Sequence, residues 1–205
     1  MDAFEKAVDR LRRLPGIGRK SARRLVFHIL SIAESEVENL SAALLEARRQ
    51  LGYCPRCHSL SQGGLCSICT NNARSSHQIA VVASPEDVFT VENTGNFKGH
   101  YHVLGGLISP LDGVGPDQLK INSLIERVAG SEEPVDELIF AFNPTNEGEV
   151  TINYLKKRLA GYKVKLSHLS YGIPVGSDIG YTDKITLSKS FQNRVVLGEE
   201  PSNTD

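Results

Sequence analysis

The chain has 205 residues, enough for one or two domains, and 40% of them are hydrophobic, enough for packed cores. Twenty-three lysines and arginines against 24 aspartates and glutamates leave a formal net charge of −1, so overall charge points to no partner. The opening MDAFEKAVDRLRR lacks the apolar core of an export signal and no apolar run is long enough for a membrane span, which predicts a cytoplasmic protein.

The average conceals a polarised distribution. From Arg10 to Arg24 there are seven basic residues (Arg10, Arg12, Arg13, Arg19, Lys20, Arg23, Arg24) and no acidic one. From Val128 to Leu155 there are six acidic residues (Glu132, Glu133, Asp136, Glu137, Glu147, Glu149) and no lysine or arginine. The tail after Leu197 is polar and predicts a frayed end.

Phe4, Val8 and Leu11 recur at helical spacing and predict a first helix to about Leu14. A Pro-Gly break, LPGIG, precedes a second helix with Ala22, Leu25, Val26 and Ile29 on one face. Ser35 is suited to cap a third, whose apolar face is Val37, Leu40, Leu44, Ala47 and Leu51.

The join from Leu14 to Ala22, LPGIGRKSA, resembles the helix-hairpin-helix motif of DNA-binding proteins. Gly16 and Gly18 allow a sharp turn that bares backbone N–H groups at a helix N-terminus, where the helix dipole favours an anion. Ile17 can fill the gap between the helices. Lys20 and Arg24 lie one turn apart, with Arg19 and Arg23 as the neighbouring pair, all candidates for phosphate contact. Such contacts follow the backbone rather than the bases, and they weaken with salt. The competing reading is a helical hairpin with a merely solvated basic face.

Cys54 to Cys69 reads CPRCHSLSQGGLCSIC and holds all four cysteines in two C-x2-C pairs. Paired spacing of this kind wraps a structural zinc with four thiolates, Cys54, Cys57, Cys66 and Cys69, and the fourth closes the open position that catalysis requires. Gly63 and Gly64 suit the tight turn between the pairs. Disulfides would need an oxidising compartment, and the spacing matches neither common ferredoxin pattern. His58 is expected to be a surface residue, not a fifth ligand.

Beyond the knuckle, apolar runs alternate with helical patterns. Ile79–Ala83, Tyr101–Leu104, Leu138–Phe142 and Lys163–Leu169 read as strands. Helices are expected from Pro85, through Leu124, Ile125 and Val128, and through Ile152, Leu155 and Leu159. This rhythm gives an α/β fold: a parallel sheet with helices on both faces and sites beyond the carboxyl ends of its strands.

NPTNEGE, residues 143–149, stands at such an end and resembles the acidic signature of the Toprim domain of topoisomerases, primases and some nucleases. The active pattern is Asp-x-Asp followed by x-Glu-Gly-Glu, with a further glutamate at the end of the first strand, and its carboxylates hold magnesium. Here Asn143 and Thr145 replace the two aspartates, and Ala83 falls where the first-strand glutamate is expected, with Glu86 and Asp87 nearby. The reading is a Toprim scaffold without its catalytic metal site, in which Glu147 and Glu149 offer an acidic surface to a protein partner or complement the helix that follows. Gly172, Pro174, Gly176 and Gly180 then make an irregular loop, and Ile185, Leu187 and Phe191 suggest a short closing helix over its own sheet or a neighbour's.

The order of helix-hairpin-helix, four-cysteine knuckle, degenerate Toprim and glycine-rich end resembles the RecR family of bacterial recombination mediators. The resemblance runs from LPGIGRKSARRLVFHIL through YHVLGGLISPLDGVGP and NPTNEGE to YGIPVGSDIGYTDKITL. It implies a helical domain at 1–53, a zinc finger at 54–69, a Toprim domain at 77–172 and an oligomerisation segment with tail at 173–205. It further implies a non-enzymatic DNA-binding protein of DNA repair, a homotetrameric ring formed through swapped terminal segments. With RecO, and in many bacteria RecF, such a ring loads RecA onto single strands covered by single-strand binding protein. By the same resemblance Lys20 and Arg24 face DNA. Many relatives carry an arginine and an alanine in the stretch occupied here by His168-Leu169-Ser170-Tyr171-Gly172, so this chain lacks that arginine. Two rivals stand beside this reading: a magnesium-dependent Toprim nuclease or primase-like enzyme, and a scaffold that contacts proteins only.

Overall fold

The computed structural model describes residues 2–130 and 133–195. Glu132 of the acidic stretch and the tail after Leu197 lie outside them. The chain divides into two compact units, Met1–Gly52 and Tyr53–Asp205.

The first unit is helical: α1 (Asp2–Leu11), α2 (Arg19–Ser31) and α3 (Glu34–Gln50). Its core is small, with Val8, Ala22 and Val26 buried and Phe4, Ala7, Leu11 and Ile17 packed around them. Helix α1 ends three residues earlier than its periodicity suggests. The Arg13 and Leu14 amides tighten onto the Arg10 and Leu11 carbonyls, at 3.2 and 3.1 Å, as the chain enters Pro15. Leu25 departs from the expected buried face and is 36% exposed. Helix α3 starts one residue before Ser35, so the N-cap is Ala33 and no side chain caps it. No residue of α3 is buried. Its expected apolar stripe exists but nothing in this unit covers it, Leu40 and Leu44 being 51% and 64% exposed.

The second unit opens on the knuckle, a minimal ribbon of β1 (Gly52–Tyr53) with β2 (Leu60–Ser61), followed by the one-turn α4 (Ser67–Thr70). Strands β3 (Ser75–Val82), β4 (Gly99–Val103), β5 (Glu137–Phe140) and β6 (Lys165–His168) form a parallel sheet in the order β4-β3-β5-β6. Between them run α5 (Pro85–Glu92), α6 (Ile121–Ala129) and α7 (Asn146–Arg158), and the described chain closes with α8 (Lys184–Gln192). Strand β3 is apolar throughout its second half because both faces are covered. Ile79 and Val81 pack with Leu124 of α6 and Leu155 of α7, whereas Ala80 and Val82 pack with Val88 of α5. The α/β class with a parallel sheet flanked by helices is therefore as expected.

A partly buried polar clasp fixes the amino-terminal end of the sheet. Arg74 donates to both carboxylate oxygens of Glu92, at 3.0 and 2.7 Å, and to the Gly99 carbonyl at 2.8 Å. Tyr101 donates its hydroxyl to Glu92 at 2.6 Å. Among the described residues no helix is long and apolar enough to cross a membrane.

Candidate nucleic-acid interface and metal centre

The α1–α2 turn has the geometry that the hairpin motif requires. Gly16 sits at φ +78°, a conformation side chains disfavour, whereas Gly18 is extended at φ −79° and forms the N-cap of α2. No side chain caps α2 and its first turn holds no acidic residue. Its leading N–H groups therefore stay open toward solvent, at the positive end of the helix dipole. Arg19, Lys20, Arg23 and Arg24 are all exposed around this end. They are not equivalent. Arg19 lies 3.9 Å from Glu5 and Arg23 stands over the Phe4 ring at 5.6 Å. Lys20 and Arg24 make no ion pair or side-chain hydrogen bond among the described residues. Asp9, just outside the acid-free stretch, takes Arg12 at 3.3 Å, so local carboxylates hold part of the basic charge.

In the second unit, Cys54, Cys57, Cys66 and Cys69 are all buried, with their sulfur atoms within 4.8 Å of one another. Tetrahedral zinc with bonds of about 2.3 Å sets ligand sulfurs about 3.8 Å apart, so the cluster has the right size. The Cys57 and Cys66 sulfurs are already 3.5 Å apart, and the Cys66 N–H donates to the Cys54 sulfur at 3.4 Å. Gly63 and Gly64, at φ +86° and +64°, make the turn between the pairs. Hydrogen bonding from the Cys69 thiol outweighs burial and draws Cys57 down to about 5, while burial pushes Cys66 up. Among the described residues this is the one cluster of three or more His, Cys, Asp or Glu side chains spaced to hold a metal.

His58 corrects the sequence reading. It is half-buried rather than a surface residue, in the left-handed region at φ +61°. Its Nε2 lies 2.9 Å from the Ser123 hydroxyl and its ring meets His102 edge-on at 5.2 Å. It fastens the knuckle to α6, and burial lowers its proton affinity.

The acidic loop lies at the carboxyl end of β5. Thr145 is the N-cap of α7, its hydroxyl accepting from the Gly148 N–H at 3.2 Å. Gly148 is required by close approach, because a Cβ there would lie 2.5 Å from the Asn143 carbonyl oxygen. Glu147 and Glu149 occupy the first turn of α7. Asp87 is committed elsewhere: it closes a capping box with Ser84, accepting from the Ser84 N–H at 2.7 Å. Beside the loop is a cavity of about 510 Å³ whose walls include Asn143, Pro144, Tyr171, Thr186 and Lys189. Lys189 of α8 reaches Glu149 at 2.6 Å and stands 4.4 Å from the Tyr171 ring. This pairing raises Lys189 and lowers Glu149 in pKa. An ammonium of the chain itself thus meets the exposed Glu149 carboxylate beside the loop in which Asn143 and Thr145 stand in place of two aspartates.

Sequence reasoning does not single out Lys189, Arg56 or Arg127. A lysine 40 positions from its carboxylate leaves no local pattern. Arg56, lying between Cys54 and Cys57, is the legible signal of the three.

Family models match along nearly the whole chain. The RecR helix-hairpin-helix model covers residues 4–48, the RecR four-cysteine zinc finger domain 51–71, the Toprim domain 77–170 and the RecR C-terminal model 172–195. Proteins named recombination protein RecR are similar throughout. That of Cytophaga hutchinsonii is 45% identical over 194 residues, 95% of this chain and 94% of its own. That of Trichormus variabilis is 47% identical over 187 residues, 91% and 100% of the two chains. That of Bdellovibrio bacteriovorus is 43% identical over 201 residues, 96% and 98% of the two chains. Identity at this level over chains of matching length, with the hairpin, cysteine cluster and parallel sheet in one order, means that the chain belongs to the RecR family of recombination proteins.

Proposed function

We propose that this protein is a non-enzymatic, DNA-binding recombination mediator of DNA repair, held together by structural zinc and acting as a clamp on DNA. The observation that carries the reading is the open, uncapped N-terminus of α2 ringed by exposed Arg19, Lys20, Arg23 and Arg24. Its N–H groups and cations grip phosphates, with Lys20 and Arg24 as the free pair. The name carried by the relatives, recombination protein, supports the process. Cys54, Cys57, Cys66 and Cys69 hold zinc, which links the ribbon and α4 into one rigid unit and supplies no chemistry to DNA.

Self-association into a ring, with a tetramer as the form expected of the family, is supported by apolar side chains left open in the first unit. Phe27, Leu30, Leu44 and Leu45 are 60%, 70%, 64% and 54% exposed. Covering one such leucine contributes about 2 kcal/mol, so a second copy would stabilise a unit whose own core is slight. Several hairpins around one duplex then act through effective concentration. The acidic loop, with Glu147 and Glu149, is the partner-binding face, and RecO and RecF are the partners proposed for it in loading RecA onto single-stranded DNA. The setting is the cytoplasm, at the nucleoid.

The rival, a magnesium-dependent Toprim nuclease or primase-like enzyme, needs a carboxylate set that Ala83, Asn143 and Thr145 do not supply. Incubating the full chain with labelled gapped DNA and magnesium tests the choice. A retarded but intact DNA is expected. Cleavage or extension that disappears in Glu147→Gln would overturn the non-enzymatic reading.

A further inference from the structure

Beside the knuckle, at the amino-terminal ends of the strands, lies a cleft of about 490 Å³ whose walls include Arg56, Arg127 and His100. The half-buried Arg127, on the last turn of α6, donates Nη1 to the Tyr101 carbonyl at 2.6 Å. Two residues along β4, the Val103 N–H donates to the carbonyl of Cys57 at 2.8 Å. The C=O of one strand residue and the N–H of the next but one emerge side by side on the same edge. The guanidinium and a ligand cysteine therefore occupy adjacent positions on the outer edge of β4. Arg56, between Cys54 and Cys57, donates toward the Cys69 carbonyl at 3.5 Å.

These cations are poorly accounted for by carboxylates. Among the described residues neither Arg56 nor Arg127 forms an ion pair. Glu126 and Glu133 line the same cleft, but among the described residues neither carboxylate pairs with Arg56 or Arg127. Burial, followed by the neighbouring Arg127, Arg74 and Arg56 charges, lowers His100. Burial likewise lowers Arg127. A guanidinium held this far from water without an opposing charge is costly.

The opposing charge is present once a divalent ion sits on four thiolates, since that centre carries a net charge of −2. We propose that Arg127, assisted by Arg56, is the counter-cation of the cysteine metal centre: a positioning residue that stabilises the charged tetrathiolate and slows loss of its metal. The inference rests on the zinc reading above and adds that the Toprim sheet edge, through Arg127, helps to retain the ion. It also explains why cationic side chains converge at the end of the sheet opposite the acidic loop.

The test uses the full chain purified with zinc, with transfer of zinc to a chromogenic chelator followed over time. Arg127→Met should release zinc about tenfold faster or more, the scale seen for outer-shell partners of metal ligands. Arg56→Met, an exposed substitution that spares the fold, should show a smaller acceleration in the same direction. Arg127→Lys keeps the charge and should stay near the wild-type rate. In cobalt-substituted protein the thiolate-to-metal charge-transfer band should move to lower energy in Arg127→Met and return in Arg127→Lys, which a packing defect would not produce. Wild-type release and an unmoved band in Arg127→Met, or equal acceleration in Met and Lys variants, would overturn the proposal. A wild-type protein purified without zinc would instead overturn the metal assignment itself.

Discussion

The ammonium of Lys189 lies 2.6 Å from the Glu149 carboxylate, so the closing helix α8 is tied to the first turn of α7 by an ion pair. Both groups are partly open to water, so the pair is a tether rather than a large source of stability. Its other anchors are few, because Ile185 and Phe191 of α8 are 71% and 67% exposed. Lys189→Ala should therefore release α8 while sparing the sheet. Hydrogen exchange should quicken over Lys184–Gln192 and stay unchanged over β3 and β5. Unaltered protection of α8 would show that the tether is idle.

Asn143→Asp with Thr145→Asp should restore affinity for a hard divalent cation at the α7 N-terminus. Aspartate caps helices as well as threonine does, so the fold should tolerate the change. Manganese binding, read by electron paramagnetic resonance, should appear in this double variant and strengthen further with Lys189→Ala, which removes the competing ammonium. If the double variant binds no more manganese than wild type, the missing carboxylates are not what disarms the loop.

Glu92→Gln removes the acceptor charge from Arg74, whose side chain is only 11% exposed against 31% for Glu92. The expected cost is about 2 kcal/mol, discounted because Glu92 is partly open to water. Burial pushes the Glu92 carboxyl up, but hydrogen bonds from Arg74 and Tyr101 more than reverse this, leaving it lowered in the folded state. Its contribution is therefore present above the unfolded value near 4.3 and fades as pH falls through the folded one. Urea midpoints of the two proteins should differ at pH 7 and converge in acid. A constant difference would contradict the assignment.

His102 predicts an earlier acid effect. Burial lowers it to about 3, outweighing the hydrogen bond between its Nε2 and the Lys120 carbonyl at 2.8 Å, so the folded protein keeps it neutral. The unfolded chain takes up the proton near pH 6.5, so stability falls as pH drops below that value, by about 2 kcal/mol at pH 5 from this residue. His102→Gln, which retains a donor, should make the fall of the urea midpoint between pH 6.5 and 5 shallower, with His58 and His100 keeping their own shares. An equally steep profile in the variant would remove His102 as the cause.

How much of this can be read from the sequence depends on what each pattern encodes. The Cys-x2-Cys spacing is local and the chain closes it locally, so the cluster is legible. The run Ile79–Val82 is apolar at every position and reads as a strand covered on both sides, which Val88 on one face and Leu155 on the other provide. Periodicity misleads at Leu25 and along α3, because spacing tells which side chains share a face and not whether anything lies against it. Ser35 has the residue type of a cap, but the helix starts before it. Lys189 and Arg127 leave no sequence signal because the groups they serve lie far away in the chain and are brought near only by the sheet.

The measurement that bears most directly on the central claim is the affinity of the full chain for labelled gapped DNA over a series of salt concentrations, alongside Lys20→Ala/Arg24→Ala. Binding should be indifferent to base sequence and fall steeply with salt, with a slope in the variant reduced by about two released counterions and an unchanged circular dichroism spectrum. Equal affinity and slope in the two proteins, or no binding by the wild type in dilute buffer, would contradict it.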